Sequence, residues 1–127
     1  MKSELKYIEL KSGYGDCGPA WIGMVTFSKS GKTVYFNGKA LKSLNGMGIS
    51  GNYYDIETRE EYWVSGVKKD GSDRHWAGGG SIFIDKEVVD LYLSKVGFDS
   101  LDKNKYELID ILPTDKDKFT RLENERN

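Results

Sequence analysis

Hydrophobic and polar residues alternate along this chain in short runs, and turn residues separate the runs. Tyr7-Ile8-Glu9-Leu10 predicts a first strand with Ile8 and Leu10 on one face. Trp21 to Ser28 and Thr33 to Asn37 predict a hairpin around Ser30-Gly31. In it Trp21, Val25 and Phe27 share a face with Gly23, and Val34 shares one with Phe36. Asn37-Gly38 is a further turn signal, and Leu41 and Leu44 precede a glycine-rich connection. Tyr53 to Ile56 and Glu61 to Lys69 predict two more strands. Trp63 and Val67 fall on one face of the second, Tyr62 and Val64 on the other, which suits a central or strongly curved strand. Ser81 to Ile84 is a short apolar strand.

The periodicity then changes. Asp85 is placed to cap a helix. Val88, Val89, Tyr92 and Val96, with Leu91 and Leu93, form a stripe at 3–4 spacing. Gly97 ends the helix, and Phe98 is placed for the contact that follows such a glycine. Tyr106 to Leu112 is a last strand, closed by Pro113. Beyond it only Phe119 and Leu122 anchor a charged segment, expected to fray or form a short terminal helix. The elements predict an α+β fold, mainly antiparallel β, as a small curved sheet or SH3-like or OB-like barrel with one helix over about 86–96. Residues 1–113 would form the compact domain and 114–127 a charged C-terminal tail.

Composition sharpens this picture. At 127 residues, one domain is expected. Aromatic residues are 13% of the chain, so they must supply much of the core. A single cysteine, Cys17, excludes an intrachain disulfide framework and suits a reducing compartment. The first residues lack an apolar run long enough for a signal peptide or membrane span, so a soluble, cytoplasmic protein is expected. Net charge is −1, but from Cys17 to Tyr54 there is no acid, while Lys29, Lys32, Lys39 and Lys42 make that stretch basic. A locally basic face on a near-neutral protein is the consequence.

Four groups of residues are candidates for chemistry. The run Asp16-Cys17-Gly18-Pro19-Ala20 resembles the nucleophile segment of the papain-like peptidases that cut double-glycine leaders. That implies a cysteine hydrolase with Cys17 as nucleophile and His75 as base. That family carries a glutamine before the cysteine and opens a helix there; this chain has no glutamine, and Trp21 to Ser28 reads as a strand. Gly46-Met47-Gly48-Ile49-Ser50-Gly51 matches G-x-G-x-x-G in letters, but a strand or turn follows it rather than a helix. One histidine and one cysteine make no metal site, and no cofactor is expected. Asp55, Glu57, Glu60 and Glu61 cluster about one turn, as an acid/base pair or as an exposed charged turn.

The remaining group is aromatic and basic. Lys29 and Lys32, with Lys39 and Lys42, flank a strand bearing Tyr35. Lys68, Arg74, His75 and Trp76 sit in the loop before Gly80. Bases stack on aromatic faces while Lys and Arg meet phosphates, and the same platforms suit sugars or peptides. The expected function is a small non-enzymatic binding module using Lys68, Arg74, His75, Trp76, Lys29, Lys32 and Tyr35. Its partner would be single-stranded nucleic acid, carbohydrate or protein, with no membrane. The alternatives are the cysteine hydrolase and a structural subunit whose exposed aromatics mark a protein interface.

Gly18-Pro19-Ala20-Trp21-Ile22-Gly23, Phe27 to Gly38, Gly51 to Asp55 and Tyr62 to Trp76 resemble a family of small uncharacterised bacterial proteins, over most of the chain up to about Leu93. Members are sometimes labelled 1-deoxy-D-xylulose-5-phosphate synthase. That synthase is several times longer and binds thiamine diphosphate and magnesium between large α/β domains. This sequence has neither the length nor a diphosphate motif. The resemblance therefore implies a compact cytosolic bacterial domain rather than that activity.

Overall fold

The first two alternating runs pair with each other. In the computed structural model, which describes residues 3–11, 19–45, 51–67, 82–102 and 104–126 (122–126 by backbone alone), Ser3–Leu10 forms β1 and Ala20–Phe27 forms β2. They are antiparallel from Ser3↔Thr26 to Glu9↔Ala20. Thr33–Phe36 (β3) returns from β2. Lys39–Ser43 (β4) returns from β3 through Asn37-Gly38, whose φ values of 50° and 75° are those of a type I′ hairpin. Tyr53–Asp55 (β5) pairs with β4, and Glu61–Gly66 (β6) pairs with both β5 and β1. The order β1-β6-β5-β4-β3-β2 thus closes on itself as a six-stranded antiparallel barrel.

Ile82–Asp85 (β7) adds to β2 in parallel, and Tyr106–Ile109 (β8) adds to β7 in parallel. A 3₁₀ turn, Lys86–Val88, and helix α1, Val89–Val96, connect them; helix α2, Lys116–Arg126, closes the chain. The mostly antiparallel small α+β barrel read from the sequence is the fold observed.

Strand periodicity divides the apolar residues into three cores. Ile8, Leu10, Val25, Val34, Phe36, Leu41, Tyr62 and Val64 fill the barrel, with Trp21 and Phe27 packed against them. The alternate residues Leu5 and Tyr7 of β1, with Ala20 and Ile22 of β2, point outward. There β7, β8 and α1 cover them with Ile82, Ile84, Val88, Tyr92, Val96 and Tyr106. A third, smaller core lies outside β3–β5, where Phe119 of α2 meets Ala40 and Ile56 beside Tyr35 and Tyr54. β2 therefore carries apolar residues on both faces because both faces are covered. Gly23 makes room for the Phe36 ring. A Cβ there would lie 2.7 Å from Phe36 Cε1, so the Phe36 ring occupies the space that a side chain would need.

Several local expectations hold. Asp85 accepts from Glu87 N–H at 3.0 Å, and Gly97, at φ 73°, donates to Leu93 O at 2.9 Å. Val88, Tyr92 and Val96 are the buried stripe, whereas Leu91 and Phe98 are exposed at its flank. β6 lies between two strands, but its Trp63 side is open: Trp63 is 42% exposed while Val67 packs on the α1-side core. The segment after Pro113 takes the helical of its two expected forms. Phe119, at 1% exposure, anchors it.

β5 is only three residues long, and a side chain completes its work. Asn52 donates through Nδ2 to Val64 O at 2.7 Å and accepts through Oδ1 from Val64 N–H at 2.8 Å. The amide thereby continues the ladder on β6 where β5 has run out.

Candidate functional site

Lys68, Arg74, His75 and Trp76 lie outside the described residues, as does Cys17. So the loop site and the Cys17–His75 pair have no described geometry. Of the residues singled out in the sequence, Lys29, Lys32 and Tyr35 have described positions.

Tyr35 meets a lysine from the far end of the chain. On the outer face of β3 it pairs with Ala40, and the Lys116 ammonium of α2 sits 5.3 Å from its ring centre. Tyr35 therefore belongs to the floor beneath the chain's own terminal helix. Lys29 and Lys32 are exposed in the β2–β3 turn. That turn is fixed by Gly31 N–H donating to Ser28 O (2.9 Å) and by Ser28 Oγ accepting from Thr33 N–H (3.1 Å).

A different aromatic stands beside the basic hairpin. Thr33 pairs with Lys42, and Lys42 pairs with Tyr54, so these three side chains form a row across the outer face of β3, β4 and β5. Arg59, in the β5–β6 turn, stacks its guanidinium 5.6 Å from the Tyr54 ring centre. Lys29, Lys32, Lys42 and Arg59 have no acid within 4.0 Å among the described residues. The row ends at Glu61, opposite Tyr54, whose Oε1 accepts from Gly51 N–H at 3.1 Å. Other lysines are neutralised locally: Lys11 on Glu9 (2.8 Å), Lys39 on Asp55 (3.8 Å) and Lys118 on Glu57 (3.3 Å).

The carboxylate cluster is structural. Asp55 is buried and points into the barrel end. Its Oδ1 accepts from Glu57 N–H at 2.8 Å and Thr58 N–H at 3.3 Å, and so shapes the turn that carries Arg59. Arg59 itself holds φ 68°, a left-handed position that turns its side chain back over Tyr54. Beneath the turn, burial pushes the Tyr62 phenol up to about 12, and the Asp55 and Glu60 charges add to it. On β1, Glu9 is buried at 4% exposure, accepts from the Tyr7 hydroxyl and pairs with Lys11.

Sequence reasoning misses Tyr54 and Arg59. Arg59 stands inside the acidic run Asp55 to Glu61, so its local charge reads as negative, and Tyr54 falls in a predicted strand whose faces the pattern leaves undecided. After Gly51 the chain enters β5, not a helix, so the G-x-G-x-x-G letters have no helix N-terminus to offer a phosphate. No group of three or more metal-ligating side chains exists among the described residues. Among them, too, no helix is long and apolar enough to cross a membrane. No protein-family model, curated protein or solved structure matches the chain.

Proposed function

We propose that this domain is a non-enzymatic binding module for single-stranded nucleic acid, working in the cytoplasm through the Thr33–Lys42–Tyr54 row on the outer face of β3, β4 and β5, beside the Tyr35–Ala40 row that α2 covers. The observation that carries the reading is the row of Thr33, Lys42 and Tyr54 with Arg59 over the ring, Lys42 and Arg59 having no acid partner among the described residues. Lysines and a guanidinium suit phosphates, and a tyrosine on a β surface suits a base plane. The Arg59 guanidinium stands in for the base on the Tyr54 ring until a strand displaces it or stacks beside it. Lys29 and Lys32, at the hairpin tip, extend the track by one or two phosphates.

The test is fluorescence anisotropy with labelled single-stranded oligonucleotides across a salt series. Removing one phosphate-binding cation should reduce the slope of log K against log salt by about 0.7. Lys42→Ala and Arg59→Ala should each lower the slope, and Tyr54→Ala should weaken binding with the slope kept. Equal binding by the wild type and the Lys42→Ala/Arg59→Ala double variant would refute the assignment. A second reading rests on Trp63, which is 42% exposed on the outer face of β6 and suits a protein interface. In that case Trp63→Ser, and not Lys42→Ala, would abolish association with a partner.

A further inference from the structure

The barrel has a fork, and the fork holds a cleft. β2 pairs with β7 at Ala20 to Ile22 and with β3 at Thr26 and Phe27, so Gly23 to Val25 have no strand beside them on that edge. The strands diverge there, and the segment from Ile111 to Lys116 passes over the opening. It is held by Leu112 N–H donating to Asn37 Oδ1 at 3.0 Å and by the Thr114 hydroxyl donating to Lys39 O at 3.4 Å. A cleft of about 320 Å³ remains between the strands and this segment. That volume lies at the lower end of the range for small-molecule sites, about 300–1,000 Å³.

The lining has an apolar part and a polar part. Met24, Phe36, Ile111 and Leu112 present hydrocarbon, while Thr26 and Asp85 present oxygen. Asp85 spends one oxygen, Oδ1, on the helix cap at Glu87 N–H. Its Oδ2 has no hydrogen-bond or ion-pair partner among the described residues, and neither does the Thr26 hydroxyl or Asn37 Nδ2. The other charge on the lining, Lys116, holds its ammonium over the Tyr35 ring at 5.3 Å. The Asp85 carboxylate thus offers an oxygen that no cation among the described residues holds.

We propose that the fork cleft binds a small amine with an apolar body, its ammonium on Asp85 Oδ2 and its hydrocarbon on Met24, Phe36, Ile111 and Leu112. A neutral alcohol of the same shape would make the apolar contacts but would leave the carboxylate unpaired. An anion would meet that carboxylate as a like charge. The site is separate from the Lys42–Tyr54–Arg59 face and does not depend on nucleic-acid binding.

The test is NMR titration of the whole chain with phenethylamine, phenethyl alcohol and hydrocinnamate, followed at the amides of Thr26, Asn37 and Leu112. The amine should bind at least about tenfold more tightly than the alcohol, the margin expected of a charge-assisted hydrogen bond, and hydrocinnamate should not bind. Asp85→Asn keeps the helix cap, because asparagine caps as well as aspartate. It should reduce the amine to the affinity of the alcohol and leave the alcohol unchanged. Leu112→Trp should weaken both. Amine and alcohol binding equally, Asp85→Asn leaving the amine unaffected, or no amide shift with any probe would each overturn the proposal. Oligonucleotide binding should be the same in wild type and Asp85→Asn.

Discussion

Replacing Asn52 by alanine removes two hydrogen bonds with one cut and leaves both partners on a single residue. Val64 lies between β1 and the position where β5 would continue. Its N–H and C=O point toward Asn52, which meets them at 2.8 and 2.7 Å. Each bond contributes about 1 kcal/mol net, and leaving its partly buried partner unsatisfied raises the cost toward about 1–3 kcal/mol. The expected loss is about 2–4 kcal/mol. With a urea m-value of about 1–3 kcal/mol/M, the midpoint should fall by roughly 1–2 M with m unchanged. Asn52→Leu, which keeps the volume without the amide, should lose as much as Asn52→Ala. Amide exchange supplies a local readout: Val64 N–H should lose protection out of proportion to Ile8 N–H across the ladder. A midpoint shift below about 0.3 M for both variants, with Val64 still protected, would show that the Asn52 amide does not complete the β6 ladder.

Three further outcomes follow from the same geometry. Gly23→Ala should destabilise by about 1–3 kcal/mol in urea, because the new Cβ would meet Phe36 Cε1 at 2.7 Å. Phe119→Ala should cost about 3–5 kcal/mol of helix docking, read as loss of helical far-ultraviolet signal and of protection over α2, since Phe119 is the buried anchor against Ala40 and Ile56. The Tyr62 phenol is raised from 10.0 to about 12 in the fold. A folded value above the unfolded one gives a contribution fully present below pH 10 and lost as pH rises from 10 toward 12. Alkaline unfolding should therefore begin above pH 10 and be shallower in Tyr62→Phe, as measured by denaturation at a series of pH values.

The legible parts of the chain are those where local pattern and final environment agree. The β2–β3 hairpin, the Asn37-Gly38 turn and the Asp85-capped helix follow from alternation, turn chemistry and a 3–4 stripe within a few residues of one another. β4 escapes such a reading because Lys-Ala-Leu-Lys-Ser offers one large apolar residue, and its small Ala40 is buried by Ile56 and by Phe119 of α2, both outside its local window. Barrel closure rests on β1 pairing with both β2 and β6, contacts that no local window contains. Trp63 illustrates the limit of counting bulk. Its neighbours Tyr62 and Val64 fill the barrel, while Trp63 itself faces outward and is left uncovered. Within the site, the basic hairpin is readable as charge. Its aromatic partner is not: Tyr35 is taken by Lys116 from the far end of the chain, and Tyr54 joins the lysines only through register.

The measurement that bears most directly on the proposed function is a two-dimensional amide titration of the wild-type chain with a short single-stranded oligonucleotide at low salt. Saturable shifts are expected at Lys32, Lys42, Tyr54 and Arg59 that collapse as salt is raised, with Leu5, Ile84 and Val96 of the α1-side core unmoved. Shifts confined to the α1 side, or none at the β3–β5 face under saturating strand, would contradict it.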